Sequence, residues 1–321
     1  MKTKIIFGTI YLCLIVNVLS QDLDLRIEQK VDSVLSLMTM DEKIGQLNQL
    51  NGFWDATGPI PSGGQSLNKY NQLKGGLIGS MLNVKGVKEV RELQKIAVEQ
   101  TRLGIPLIFG FDLIHGYKTI TPIPLAEVSS WDMELIRESA AMAAEEATAA
   151  GINLAFGPMV DLSRDARWGR VMEGVGEDPY LASLVASARV IGYQGENLDR
   201  TNTLLACPKH YAGYGFSESG KDYNTVSIDD YTLHNFVMPP FKAAIDAGAM
   251  SIMTSFNIIQ GIPATANDYL INKILKKDWA FKGIVLSDWG SIAEMITHGF
   301  SPNPIHATKH AFLAGTDVDM E

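Results

Sequence analysis

The sequence has two cysteines in 321 residues, Cys13 and Cys207. Cys13 lies inside the first apolar run, so the mature chain keeps one thiol and no internal disulfide can staple it. Stability must come from a packed core, which 46% hydrophobic residues can supply and which excludes a disordered polymer. Basic excess is also missing: 27 Lys and Arg stand against 36 Asp and Glu, a formal charge of -9, with no long run of one sign. No basic field draws in a phosphate backbone, which argues against nucleic acid as a partner. Neither G-x-G-x-x-G nor G-x-x-x-x-G-K-[ST] follows a strand pattern, which sets Rossmann and P-loop chemistry aside. H-E-x-x-H and the G-x-S-x-G elbow are absent too, so neither a metalloprotease helix nor a Ser-His-Asp hydrolase is read here.

What is present begins with MKTKIIFGTIYLCLIVNVLS at 1–20: two lysines, a short apolar run and a small residue at its end. This reads as a secretory leader cleaved near Ser20/Gln21, with an uncleaved anchor as the alternative. Cleavage removes Lys2 and Lys4 and takes the formal charge from -9 to -11. The mature chain, 21–321, is expected to be periplasmic or secreted, without stable membrane insertion. At the other end, AFLAGTDVDME breaks off inside a strand and its polar tip. More protein is expected after Glu321, and a last unit left uncovered there predicts a fragment that is poorly soluble or weakly active.

Between these ends the patterning alternates. RIEQKVDSVLSLMTMDEKIGQL predicts two short helices with a capping box from Thr39 to Glu42. NGFWDATGPIPSGGQSLNKYNQLK reads as loop. GGLIGSMLN, IPLIFGFD, GINLAFGP, LLACPKH, AMSIMTSFN, GIVLSD and TDVDM read as strands, with helical patterns between them. One of these is the long Ala/Glu-rich helix closed by Gly151, and another is entered or bent at Pro239-Pro240. Short strands apolar on both faces, alternating with helices, predict a parallel sheet. Seven or so of them in about 250 residues favour a (β/α)8 TIM-like barrel, incomplete at its C-terminus, over a doubly wound sheet.

A barrel carries its chemistry at the C-terminal tips of its strands. The polar residues placed there are Asp112 and His115, then Asp161, Arg164, Asp165, Arg167 and Arg170, then Lys209 and His210, Asn257, and finally Asp288 with Trp289. Carboxylates, cations and an aromatic face suit a neutral polyhydroxylated substrate, and they need no metal or cofactor. Asp288 beside Trp289 is the strongest nucleophile candidate, since a carboxylate can be aimed at a carbon while the indole packs on a sugar ring. Its alternative role is a helix cap. Asp112 either accepts hydrogen bonds from substrate hydroxyls or caps a loop. Lys209 and His210 are costly to bury unpaired, so they either bind substrate or form a structural pair with a carboxylate. In SRDARWGR some charges must pair internally, which leaves Arg170 as the substrate ligand and Arg167 in reserve. His115, His234, His298, His306 and His310 match no constellation.

MTMDEKIGQL, IPLIFGFDLIHG, GPMVDLSRDARWGRVMEGVGEDPYL, CPKHYAGYG, MTSFNIIQGIPATAN and GIVLSDWG occur in this order, and on them the chain resembles glycoside hydrolase family 3, in particular its periplasmic β-glucosidases. The resemblance spans Leu25 to Glu321 and implies the N-terminal barrel domain. It assigns Asp288 as catalytic nucleophile, Asp112 to sugar hydroxyls, and Arg170, Lys209 and His210 to substrate binding. Phe256 falls where the family has tyrosine or phenylalanine in S-Y/F-N, and as phenylalanine it gives the nucleophile no hydroxyl. Met253 and Trp289 are implied to line the sugar pocket. The implied reaction is removal of terminal β-D-glucosyl residues from small β-glucosides or oligosaccharides through a covalent glycosyl-aspartate.

A retaining mechanism needs a second carboxyl group about 5 to 5.5 Å from the nucleophile. In this family it is a glutamate of a following α/β-sandwich domain, expected beyond Glu321, which would also contact this one. The one-domain N-acetylglucosaminidase branch uses a histidine in K-H-F-P-G-H-G-D-T with a D-S-H segment. Here Tyr214 replaces that histidine and D-S-H is missing. The alternatives are a β-xylosidase or broad exo-β-glucanase of the same family, a non-catalytic carbohydrate-binding barrel, and a purely structural barrel.

Overall fold

The computed structural model describes residues 25–52, 58, 60–84 and 86–321. The leader read at 1–20 lies outside the described residues. Among the described residues, no helix is long and apolar enough to cross a membrane.

Eight short strands carry the architecture: β1 Asn48–Asn51, β2 Ser80–Leu82, β3 Ile108–Phe111, β4 Leu154–Ala155, β5 Leu205–Ala206, β6 Ser251–Met253, β7 Ile284–Leu286 and β8 Asp319–Met320. Six of them form one parallel sheet in the order β8-β1-β2-β3-β4-β5, while β6 and β7 form a separate parallel pair. The class is the α/β fold with a parallel sheet that the alternation predicts, but the strands form two ladders and not one continuous barrel. Pro208, just past β5, has no N–H for a ladder bond. Only its carbonyl is used, by Met253 N at 3.0 Å, and a single bridge from Tyr211 to Thr254 links β5 to β6. Another single bridge, Leu286 to Val318, links β7 to β8.

The period of two along each strand divides its side chains between two cores. Met81, Phe109, Ala155, Ala206, Ile252 and Val285 face the helices and join the larger apolar cluster. Their neighbours Leu82, Leu154, Cys207, Met253 and Leu286 form a second cluster with Phe156, Val318 and Met320. Gly110 of β3 lies against that second cluster, and a Cβ there would meet Phe156 Cζ at 2.4 Å. Gly110→Ala should therefore destabilise the fold by about 1–3 kcal/mol, and Phe156→Leu should restore part of it in a urea melt. If Gly110→Ala melted like the parent, Phe156 would not be packed this tightly.

The outer layer follows local rules. Thr39 and Glu42 form the expected capping box for Met40–Gly45. Helix Met133–Ala149 starts on Asp132, whose side chain accepts from Leu135 N. Its small face of Ala140, Ala143, Ala144 and Ala147 allows close packing on helix Pro179–Gln194, where Gly192 approaches Arg137 O so closely that a Cβ would lie at 2.4 Å. The segment before Pro239-Pro240 takes a wide π turn over Leu233–Val237 and continues as Met238–Asp246, a bend where prolines withhold donors.

Two elements in the first hundred residues differ from the sequence reading. The stretch read as loop contains helix Gly64–Lys74. Its Gly, Ser and Asn content hides a stripe of Leu67, Tyr70 and Leu73 at helical spacing, of which Leu73 is fully buried. Strand β1 goes unread because only Leu50 is apolar in NQLN. Its other face buries Gln49 and Asn51, and Gln49 Nε2 donates to Ser80 Oγ at 3.1 Å.

Candidate active site

The strand tips bring the charged residues together. Asp112 directly follows β3, and its loop is held from below by helix Pro179–Gln194. From that helix the Tyr193 hydroxyl donates to Leu113 O at 2.8 Å and Arg189 to Ile114 O at 3.4 Å. Lys209, beyond β5, donates through Nζ to Asp112 Oδ1 at 2.6 Å. The ammonium is buried while the carboxylate is half-exposed, so the pair presents its acidic member to solvent. Burial opposes the Lys209 charge, but Asp112 outweighs it and the pKa lies above the ordinary lysine value.

Asp288 stands at the tip past β7 and is 7% exposed. Its Oδ1 accepts from Trp289 N at 2.7 Å, while Oδ2 has no hydrogen-bond partner. Burial pushes its pKa up to about 6, with Lys209, the Trp289 N–H and Arg170 pulling the other way. The carboxyl is thus ionised at neutral pH yet poorly solvated, which is how a carboxylate nucleophile is made reactive. His210 lies between two carboxylates. Its Nδ1 is 2.8 Å from Asp161 Oδ2 and its Nε2 is 3.4 Å from Asp288 Oδ2. Burial, then Arg170 and Lys209, hold its pKa well below the ordinary histidine value, so the ring is neutral.

The arginine-rich loop divides as its charges require. Arg167 turns back onto Asp165 at 2.6 Å on the surface. That pairing pulls the Asp165 carboxyl down to about 2 and makes Arg167 a loop brace. Arg164 lies over the Phe216 ring at 5.4 Å. Arg170 points the other way: it forks onto Glu173 at 2.7 and 2.9 Å, and its guanidinium lies 5.6 Å from the centre of the Tyr214 ring. Burial opposes the Arg170 charge and Glu173 more than offsets it, so the cation is fixed near Asp288.

Aromatic side chains surround this group. Phe256 packs against Tyr214 at 5.8 Å and Tyr223 at 4.5 Å, beside Trp168, whose Nε1 donates to Asp222 at 2.8 Å. Trp289 is 39% exposed, at the rim, whereas Met253 is 2% exposed in the inner cluster. Asn257 and His115 serve the backbone: Asn257 donates to Ala212 O at 3.4 Å, and His115 Nδ1 lies 3.0 Å from Thr121 O. His234 meets Tyr269 and His310 meets Ser301, away from this cluster. Among the described residues, no three His, Cys, Asp or Glu side chains gather as a metal site.

Three residues of the site carry little sequence signal. Glu173 is visible only as an i,i+3 partner of Arg170. Tyr223 lies in an unpatterned loop. Glu294, in the short helix Ser291–Thr297 that follows Trp289, has one buried oxygen without a partner. Burial, then the charge of Asp288, pushes its carboxyl up to about 7.

Comparison with known proteins converges on one family. The family model for the glycosyl hydrolase family 3 N terminal domain matches residues 39–321. The periplasmic beta-glucosidase of Salmonella typhimurium is 39% identical over 290 residues, 90% of this chain and 37% of that protein. A putative beta-xylosidase of Formosa agariphila is 31% identical over 314 residues, 92% of this chain and 41% of that one. Among solved structures, a beta-glucosidase from Listeria innocua in complex with glucose superposes with a TM-score of 0.84 at 42% identity, covering 91% of this chain and 42% of its own. The chain thus spans about two fifths of the length of these relatives.

Proposed function

The chain belongs to glycosyl hydrolase family 3, and from that premise we propose that it carries the nucleophile side of a retaining exo-β-glucosidase, periplasmic or secreted, acting on small β-glucosides or oligosaccharides. The observation that carries this reading is the desolvated Asp288 carboxyl, one oxygen free, with the fixed cations Lys209 and Arg170 close enough to hold it ionised. The names of the Salmonella and Listeria relatives support glucosides as substrates, and the word periplasmic in the first supports export.

In this reading Asp288 Oδ2 attacks the anomeric carbon, the bond from that carbon to the leaving oxygen breaks, and a glycosyl-aspartate ester forms for water to hydrolyse. Asp112, Lys209, Arg170 and His210 hold the hydroxyls of the ring. Trp289 forms the rim, Phe256 an apolar side without a hydroxyl for the nucleophile, and Met253 the floor. Proton donation to the leaving oxygen stays with the glutamate that the family resemblance places in a following α/β-sandwich domain. The two ladders are read as arcs of one (β/α)8 barrel, supported by the bridges from Tyr211 to Thr254 and from Leu286 to Val318.

The test is intact-mass analysis after incubation with 2,4-dinitrophenyl 2-deoxy-2-fluoro-β-D-glucoside, whose leaving group needs little acid assistance. A fluoroglucosyl increment in the parent, absent from Asp288→Asn, is expected. A folded parent that gains no mass would overturn the assignment and leave a carbohydrate-binding barrel. Because one relative is named a putative beta-xylosidase, the fluoroxyloside is run alongside. Faster labelling by it would move the substrate class to xylosides.

A further inference from the structure

Asp161 has no part in that chemistry, although its side chain is 1% exposed and the His210 ring is all that lies between it and Asp288. Two nitrogens of His210 converge on the same oxygen: the backbone N–H donates to Asp161 Oδ2 at 2.8 Å, and ring Nδ1 also lies 2.8 Å from it. On the other side of the ring, Nε2 is 3.4 Å from Asp288 Oδ2, the oxygen with no hydrogen-bond partner. The imidazole is also held edge-on to Tyr214, with centroids 5.3 Å apart at 82°. It cannot turn to exchange its two nitrogens without losing these contacts.

A neutral imidazole has one N–H, and which nitrogen bears it is set by the hydrogen bond the other makes. If the proton is on Nδ1, Asp161 accepts it, Nε2 is a lone pair, and two lone pairs face each other across the 3.4 Å separation. The opposite tautomer would leave Asp161 Oδ2 facing a bare Nδ1 and would place an N–H against Asp288. The unpartnered oxygen and its distance agree with the first arrangement.

We propose that Asp161 is a positioning residue for glycosyl transfer to Asp288, acting by locking His210 in its Nδ1–H tautomer so that no ring donor is spent on the attacking oxygen. The proposal rests on the reading of Asp288 as nucleophile. A donor on Nε2 would share in the carboxylate charge and lower its reactivity, whereas a lone pair there leaves Oδ2 free and can accept a hydrogen bond from a sugar hydroxyl. Lys209 and Arg170 favour the charge on Asp161, and Glu173 opposes it.

The first test needs no turnover. In the full chain labelled with 15N-histidine, at pH 8.5 where Asp161, pushed up by burial to about 7, is ionised, the two-bond proton-nitrogen correlations of His210 are assigned with His210→Gln. The Nδ1–H pattern is expected, and an Nε2–H pattern overturns the proposal. The second test compares Asp161→Ala with Asp161→Asn, whose carbonyl can still accept both donors. Asp161→Ala should mix the tautomers and slow fluoroglucosyl labelling about 10- to 100-fold, while Asp161→Asn keeps the pattern and most of the rate. A folded Asp161→Ala that labels like the parent overturns the proposal, and so does one that slows without a tautomer change. If Asp161→Ala fails to fold, the parent spectrum and Asp161→Asn decide. An Nδ1–H pattern in a parent that never labels counts against Asp288 as nucleophile, not against the lock.

Discussion

Asp288→Asn should abolish turnover and stabilise the fold in the same protein. With Asp288 as the proposed nucleophile, loss of the attacking oxygen is expected to lower the rate of glycosyl-enzyme formation on the order of 10⁴-fold, roughly 5 kcal/mol of transition-state stabilisation. Stability moves the other way because the carboxyl titrates near 3.8 in the unfolded chain and at about 6 in the fold. A pKa raised on folding means that the protonated form is the one the fold prefers. The contribution is fully present below pH 3.8 and is lost as the pH rises through about 6, so at pH 8 ionised Asp288 costs the fold about 3 kcal/mol. An amide of the same shape carries no such cost and keeps an oxygen for the Trp289 N–H. Denaturation at pH 8 should show Asp288→Asn more stable by about that amount, with the difference closing toward pH 4. Equal stability at both pH values would show that the carboxyl is not desolvated. In the same series, azide added to Asp288→Gly should restore turnover of the dinitrophenyl glucoside with an α-glucosyl azide product. A β product would contradict attack from the face that Asp288 occupies.

Glu127→Leu should lower the unfolding free energy by about 3–5 kcal/mol, although neither it nor its partner touches substrate in the reading above. Its carboxylate pairs with Arg189, and the two side chains are 5% and 6% exposed. Arg189 already has one buried nitrogen, Nε, without a partner. Without Glu127 a full charge stays buried, with the bond to Ile114 O and the neighbouring Tyr193 hydroxyl left to meet it. Arg189→Met added to Glu127→Leu should recover most of the loss, since replacing a whole buried pair by apolar groups is close to neutral. Guanidinium midpoints of the parent, Glu127→Leu and the double variant test this, and a Glu127→Leu protein that loses under 1 kcal/mol would show the pair to be solvated. Arg189 also braces the loop that carries Asp112, so Glu127→Leu should slow the fluoroglucosyl labelling proposed above even at temperatures where it stays folded.

Much of this was legible along the chain. IPLIFGFD and GIVLSD are apolar runs that end in a carboxylate, and such runs identify strands and their tips without tertiary information. The capping box at Thr39 and the stop at Gly151 are equally local. NQLN was illegible because the residues it buries are amides satisfied by groups elsewhere in the fold, such as Ser80. Helix Gly64–Lys74 was hidden because propensity argues for loop and only burial of Leu73 argues against it. In SRDARWGR, composition could not separate Arg167 from Arg170. The separation appears when one folds back on Asp165 and the other meets Glu173 and Tyr214.

The sequence by itself determined the alternation of strand and helix, the polar residues at the strand tips and, through six ordered motifs, the family. Only the tertiary structure decided which charges meet and how much water they keep. Lys209 finds Asp112 across 97 residues, and His210 finds Asp161 across 49. Periodicity reflects neighbours a few residues apart, whereas a raised carboxyl pKa or a fixed tautomer depends on groups brought together from distant strands in a space that excludes solvent.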